Sequence, residues 1–170
     1  MKIRSGLVLG LLSALSTLPS FADEVSGTLG VQMTITSGCA INGSGTSGAS
    51  LGTLDFGTAA TLSQAVISEA SSSTSGTIHI QCTNQLPYRI LVGAGLHDDG
   101  TQRRMSNGSE YILYNLYQNA GLSTAWENAT EISRTADGTQ ESLAVYGRVP
   151  AQDTPSAAAY TDTVQVTVSW

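Results

Sequence analysis

From residue 25 the chain alternates apolar and polar positions with a period of two. Val25, Gly27, Leu29, Val31, Met33 and Ile35 fall on one face, and Ser26, Thr28, Gly30, Gln32, Thr34 and Thr36 on the other. Successive side chains of a β-strand point to opposite faces, so the pattern predicts a long strand with one apolar face. Two further alternations are as clear. Thr77 to Cys82 places Ile78, Ile80 and Cys82 together, and the end of the chain places Val164, Val166, Val168 and Trp170 opposite Thr163, Gln165, Thr167 and Ser169. Weaker patterns at 51–56, 87–93, 110–118 and 141–149 bring the expected total to about six or seven strands. Asn42-Gly43, Asp99-Gly100, Asn107-Gly108 and Asp137-Gly138 separate them, pairs that accept the positive φ of tight turns. Leu62 to Ala70 is the one stretch that admits a helical reading. The pattern predicts an antiparallel two-sheet sandwich in one domain, with Gly/Ser/Thr-rich loops at 43–50 and 71–76.

Residues 1–22 change the picture of where the protein works. Lys2 and Arg4 precede an apolar run that ends on Ser20-Phe21-Ala22, the small-x-small pattern cut by a signal peptidase, so a mature chain starting at Asp23 is expected. The run is shorter than the roughly 20 residues of a membrane span. Loss of this leader removes two of the seven basic residues and none of the 13 acidic ones. Those left are all arginine: Arg89, Arg103, Arg104, Arg134 and Arg148. An acidic, lysine-free surface argues against nucleic-acid and anionic-lipid partners. It also excludes lysine isopeptide cross-links, Schiff-base chemistry and a P-loop.

The two cysteines, Cys39 and Cys82, are read most simply as one disulfide in an exported chain, two separate buried thiols being the alternative. No metal or cofactor is expected, because His79 and His97 are the only histidines to add to them. Gly43 to Gly48 spells G-x-G-x-x-G without the strand-helix setting that gives the motif meaning. No serine sits in a G-x-S-x-G elbow, and no small-molecule substrate is implied. The acid pairs Asp98-Asp99 and Glu127/Glu131 read as solvated loops rather than as the paired carboxylates of a glycosidase, and Arg103-Arg104 as a surface pair or a partner for those acids. No catalytic residue is expected; a periplasmic hydrolase is the least supported reading.

The first strand has two readings from periodicity alone. It closes its own sandwich, or it is a detachable strand that completes a neighbouring copy by β-augmentation. An exposed apolar strand invites aggregation unless something holds it before assembly.

A set of ordered motifs bears on this choice: Cys39-Ala40-Ile41, Leu54-Asp55-Phe56-Gly57, Gly76 to Thr83, Pro87-Tyr88-Arg89-Ile90, Arg104-Met105, Leu113 to Tyr117, Trp126, Val145 to Pro150 and Tyr160 to Val168. Together they resemble the spore coat protein U domain family, which includes subunits of archaic, Csu-type chaperone-usher pili. Ala157-Ala158-Ala159 departs from the glycine that often precedes the family's Tyr-x-Asp motif.

The resemblance implies an all-β fold: an incomplete immunoglobulin-like antiparallel sandwich, completed by a donor strand. It implies three regions: 1–22 a signal peptide, 23–37 an N-terminal donor-strand extension, and 38–170 a spore coat U-type pilin domain. The donor side chains map onto Val25, Leu29, Val31, Met33 and Ile35, with Gly27 marking a shallow position where exchange could begin. The disulfide maps onto Cys39 and Cys82, and the acceptor groove and chaperone contact onto Val164, Val166, Val168 and Trp170. Implied partners are further copies or other pilus subunits, a periplasmic chaperone and an outer-membrane usher, in a fibre exported through the periplasm to the cell surface. The alternative is a self-complemented secreted or spore-coat-like structural or binding module.

Overall fold

The computed structural model describes residues 23–42, 45, 51–69, 77–128 and 130–170. The leader 1–22, the loop 71–76 and, apart from Gly45, the glycine pattern Gly43 to Gly48 lie outside the described residues. The chain divides into two units, Met1–Thr34 and Ile35–Trp170. In the first, residues 23–34 belong to no strand, although their alternation predicts one. Alternation records which face is apolar, whereas a strand exists only when its backbone N–H and C=O groups find a partner along an edge.

The second unit forms ten strands among the described residues. They are β1 (Cys39–Ile41), β2 (Val66–Glu69), β3 (Thr77–Cys82), β4 (Pro87–Val92), β5 (Arg103–Ser106), β6 (Tyr111–Tyr117), β7 (Glu131–Thr135), β8 (Gln140–Ala144), β9 (Tyr146–Val149) and β10 (Val166–Ser169). All pairings are antiparallel, in the orders β1-β3-β8, β10-β4-β7 and β2-β9-β6-β5.

One bent ribbon joins the first two groups. β3 and β4 are halves of one arm, and β7 and β8 are halves of the arm that pairs with it: Gln81 faces Gln140 and Pro87 faces Thr135. At the bend Gln85 takes a φ of 62° and its N–H donates to Ala136 O at 2.8 Å, so the pairing survives the corner through a local irregularity. β1 lies beside β3 and β10 beside β4, both on the side away from β7 and β8. Along that edge Ser169 faces Arg89, Thr83 N–H donates to Gly38 O, and Cys39 faces Cys82. The last strand of the chain and the first therefore run head to tail in one lane.

The core follows the alternation. Ile78, Ile80 and Cys82 of β3 and Tyr88, Ile90 and Val92 of β4 are buried against Tyr114 and Leu116 of β6 and Leu143 of β8. At 141–149 the alternation predicts one strand, but hydrogen bonding divides it at Val145 into β8 and β9, which belong to different sheets. Leu143, Val145, Gly147 and Val149 stay buried throughout, because burial tracks the face while the partner changes.

Two other expectations are corrected. The helical reading of Leu62 to Ala70 gives way to β2, since Val66 and Ile67 are β-branched and the edge of β9 is available to pair. Residues 51–56 form no strand; Leu51, Leu54 and Phe56 instead pack half-buried on the core, Phe56 meeting Tyr114 edge-on with ring centroids 6.2 Å apart.

Candidate functional site

The strand orders leave several edges, and the residues on them differ. β5 carries Arg104, β7 carries Glu131 and Arg134, and β8 carries Glu141, charges that discourage edge-to-edge pairing. β1 has three residues and is bridged to its neighbour. β10 reads Val-Thr-Val-Ser with no charge and no proline, and among the described residues no strand pairs with its outer side. Its inward residues are also less covered than those of the strand beside it. Ile90 and Val92 on the neighbouring β4 are 0% and 1% exposed, whereas Val164, Val166 and Val168 pack against the same core only half-buried. Trp170, on the same face by sequence, is 60% exposed.

Polar contacts fix the chain at the entry to this edge. The Asp162 carboxylate accepts from the backbone N–H of Leu96 at 2.9 Å and of His97 at 3.3 Å, and from the Tyr114 hydroxyl at 2.6 Å. His97 Nδ1 lies 3.1 Å from it. Thr161 exchanges both backbone hydrogen bonds with Ser106, and Tyr160 is hydrogen-bonded to Glu110 and Asn107. The Tyr-x-Asp motif thus ties the start of the last strand to β5, β6 and the loop after β4. Burial, and then the hydrogen bond to Asp162, push the Tyr114 phenol well above its ordinary pKa. Gly95 makes room for this carboxylate: its φ is +95°, and a Cβ there would lie 2.0 Å from Asp162 Oδ2.

Arg103, expected at the surface, is instead 3% exposed. Its guanidinium donates to Val92 O at 3.0 Å, Gly93 O at 2.8 and 2.9 Å and Trp126 O at 2.6 Å. The burial is compensated by these three carbonyls, and it pushes the Arg103 pKa down. Arg104 does meet the acids, 3.8 Å from Asp99, and also lies over the Tyr111 ring at 4.2 Å. The signal for Arg103 was present in the sequence as a strand alternation that points one of two adjacent arginines inward.

The aliphatic row of the N-terminal segment is exposed in full: Val25, Leu29, Val31 and Met33 are each at least 85% exposed, and Ile35 is 69% exposed. A Cβ added at Gly27 would meet nothing within 4 Å. At the root of the segment Cys39 and Cys82 form a disulfide. The Thr83 hydroxyl accepts from Gly38 N–H at 3.1 Å and reaches the carbonyls of Thr36 at 3.1 Å and Gly38 at 3.3 Å.

Candidate chemistry stays dispersed. His79 Nδ1 lies 2.9 Å from Ser142 Oγ on an exposed face, and the adjacent Glu141 is committed to Tyr88 and Arg134. Among the described residues no group of three or more His, Cys, Asp and Glu is placed to hold a metal ion.

Comparison with known proteins points the same way. Protein U of Myxococcus xanthus is 28% identical over 165 residues, covering 89% of this chain and 88% of that protein. A solved structure, the chaperone–tip adhesion subunit pre-assembly complex from archaic chaperone-usher Csu pili of Acinetobacter baumannii, contains a chain that is 25% identical at a TM-score of 0.54. The match covers 81% of this chain and 40% of that one, so this chain spans about two fifths of its length. The sequence model of the Spore Coat Protein U domain matches residues 25–167, a span that takes in the aliphatic row, the disulfide and the entry to the last strand. With that span matched, the chain belongs to the Spore Coat Protein U domain family and is a structural, non-enzymatic protein.

Proposed function

We propose that the protein is a structural subunit of an archaic chaperone-usher pilus and polymerises by donor-strand exchange. Residues 1–22 direct export, 23–37 supply the donor strand, and 38–170 form the acceptor domain. The observation that carries the reading is a pairing of opposites. An aliphatic row stands exposed and unpaired, while the uncharged edge strand β10 keeps its inward valines half-covered. Burying five side chains of the row at roughly 1.5–3 kcal/mol each gives a gross gain of about 10 kcal/mol, from which the cost of ordering the strand is subtracted. That is enough to make a non-covalent joint long-lived.

A periplasmic chaperone covers the same edge before assembly, an outer-membrane usher catalyses the exchange, and further copies or other pilus subunits complete the fibre at the cell surface. Support for the chaperone comes from the similar Csu-pilus structure, a chaperone–tip adhesion subunit pre-assembly complex. Surface adhesion and biofilm formation are the cellular consequences of such a fibre.

The test is an unboiled denaturing gel of the mature protein beside Leu29→Asp, Val31→Asp and a truncation that begins at Gly38. Wild type gives a ladder that boiling collapses, and the three altered proteins give monomers that are still exported. A single monomer band for wild type, with a truncation that unfolds, assigns the row to its own domain and makes the protein a self-complemented module. Ladders from the Asp variants overturn the donor assignment.

A further inference from the structure

We propose that the Cys39–Cys82 disulfide is a mechanical tether that carries tension. It passes tension entering through the N-terminal segment straight to Cys82 and on into β4, and so to β10, while residues 40–81 are bypassed. The source of the tension rests on the fibre reading given above. The load path rests on the domain alone.

Three features of the domain define that path. The segment enters at Gly38 and Cys39, where β1 holds to β3 by only three residue pairs. A ladder that short, loaded at one end, peels one pair at a time. The disulfide stands at the first of these pairs, so force reaches Cys82 before it reaches Ala40 or Ile41. From Cys82 the backbone runs through Thr83, whose hydroxyl and N–H grip Gly38, into β4, and β4 pairs with β10 from Arg89 to Val92. Entry point and acceptor edge therefore lie on one side of a single stretch of backbone, residues 82–92, connected by a covalent bond.

The described residues that the bridge bypasses ahead of β3 are poorly built to resist a pull. Residues 51–57 belong to no strand, and β2 is a four-residue edge strand with one neighbour, β9. Without the bridge, tension on Cys39 draws out β1, then the loop, then β2. The bridge spans a sequence separation of 43 with its Cα atoms 4.0 Å apart. At about 3.3–3.6 Å per residue, the stretch from Cys39 to Thr77, where β8 and the core hold β3, would span roughly 125–135 Å if it were pulled straight.

The experiment is force spectroscopy in two formats, each before and after treatment with a phosphine reductant. In assembled fibres, oxidised material is expected to extend without events of this size. Reduced fibres are expected to gain up to about 125–135 Å of contour per subunit at forces below those that separate subunits. A single full-length chain held at its N-terminus and beyond Trp170 is expected, once reduced, to release the same length before its main unfolding event. Identical traces in both redox states, or release of the segment only together with the rest of the domain, overturn the tether. Reduction of the folded protein avoids any failure of a cysteine variant to fold. If no fibres form but the single chain shows early release, the fibre reading falls and the load path stands. If fibres form but early release is missing, the load path falls and the fibre reading stands.

Discussion

Arg103 shows how one buried side chain can tie a strand of one sheet to the end of a strand in another. Its planar fork supplies donors to three carbonyls from β4, the loop after it and Trp126, and no carboxylate is needed to satisfy it. Arg103→Leu should therefore cost about 3 kcal/mol or more, because three buried acceptors lose their partners. Arg103→Lys should recover little, since a point cation cannot reproduce the fork. Urea denaturation of the folded domain measures both; a Lys variant as stable as wild type would refute this account. The tyrosines give a second test. Burial, and then the hydrogen bond to Glu141, raise Tyr88 from 10.0 to about 12, and Tyr114 is raised as well. A raised phenol contributes stability that is complete below pH 10.0 and is lost as the pH climbs through about 12. In an ultraviolet titration of the six tyrosines, Tyr88 and Tyr114 should still be protonated above pH 10.0, Tyr88 until the pH nears about 12. A single common midpoint near 10.0 in the folded state would contradict that. None of these partnerships was legible in the sequence, which placed Arg103 beside Arg104 but could not say which carbonyls would be left over.

At the scale of elements, the contest is between which face is buried and which edge is bonded. β3 was legible to the residue because its alternation and its pairing coincide. β8 and β9 read as one strand, since no apolar pattern marks a change of partner at Val145. The same region holds a close approach that the sequence shows only as an isolated glycine. A Cβ on Gly147 would lie 2.5 Å from Leu54 Cδ2 and 2.6 Å from Phe56 Cζ, so β9 accepts residues 51–57 across its inner face only because that side chain is missing. Gly147→Ala should cost about 1–3 kcal/mol, and Phe56→Leu in the same chain should return part of it. Additive losses in a double-mutant cycle would show that the two positions do not compete for space.

For the molecule as a whole, the all-β class and the character of the last strand were legible, because alternation from Val164 to Trp170 needs nothing beyond the local sequence. What occupies the outer side of that strand was not, since a period of two is silent about partners. The bent ribbon adds a consequence that can be timed. Because β3–β4 and β7–β8 cross from one sheet to the other without losing their pairing, neither sheet can open while the ribbon stays intact. Its amides should exchange with deuterium only when the entire domain unfolds, and they should be the slowest in the molecule. Along β10 the amides facing β4 should be slow, while alternate amides facing outward should exchange within the dead time of the experiment. When a strand from elsewhere takes that side, those outward amides alone should fall silent. The clock for assembly is therefore written into every second residue of the last strand.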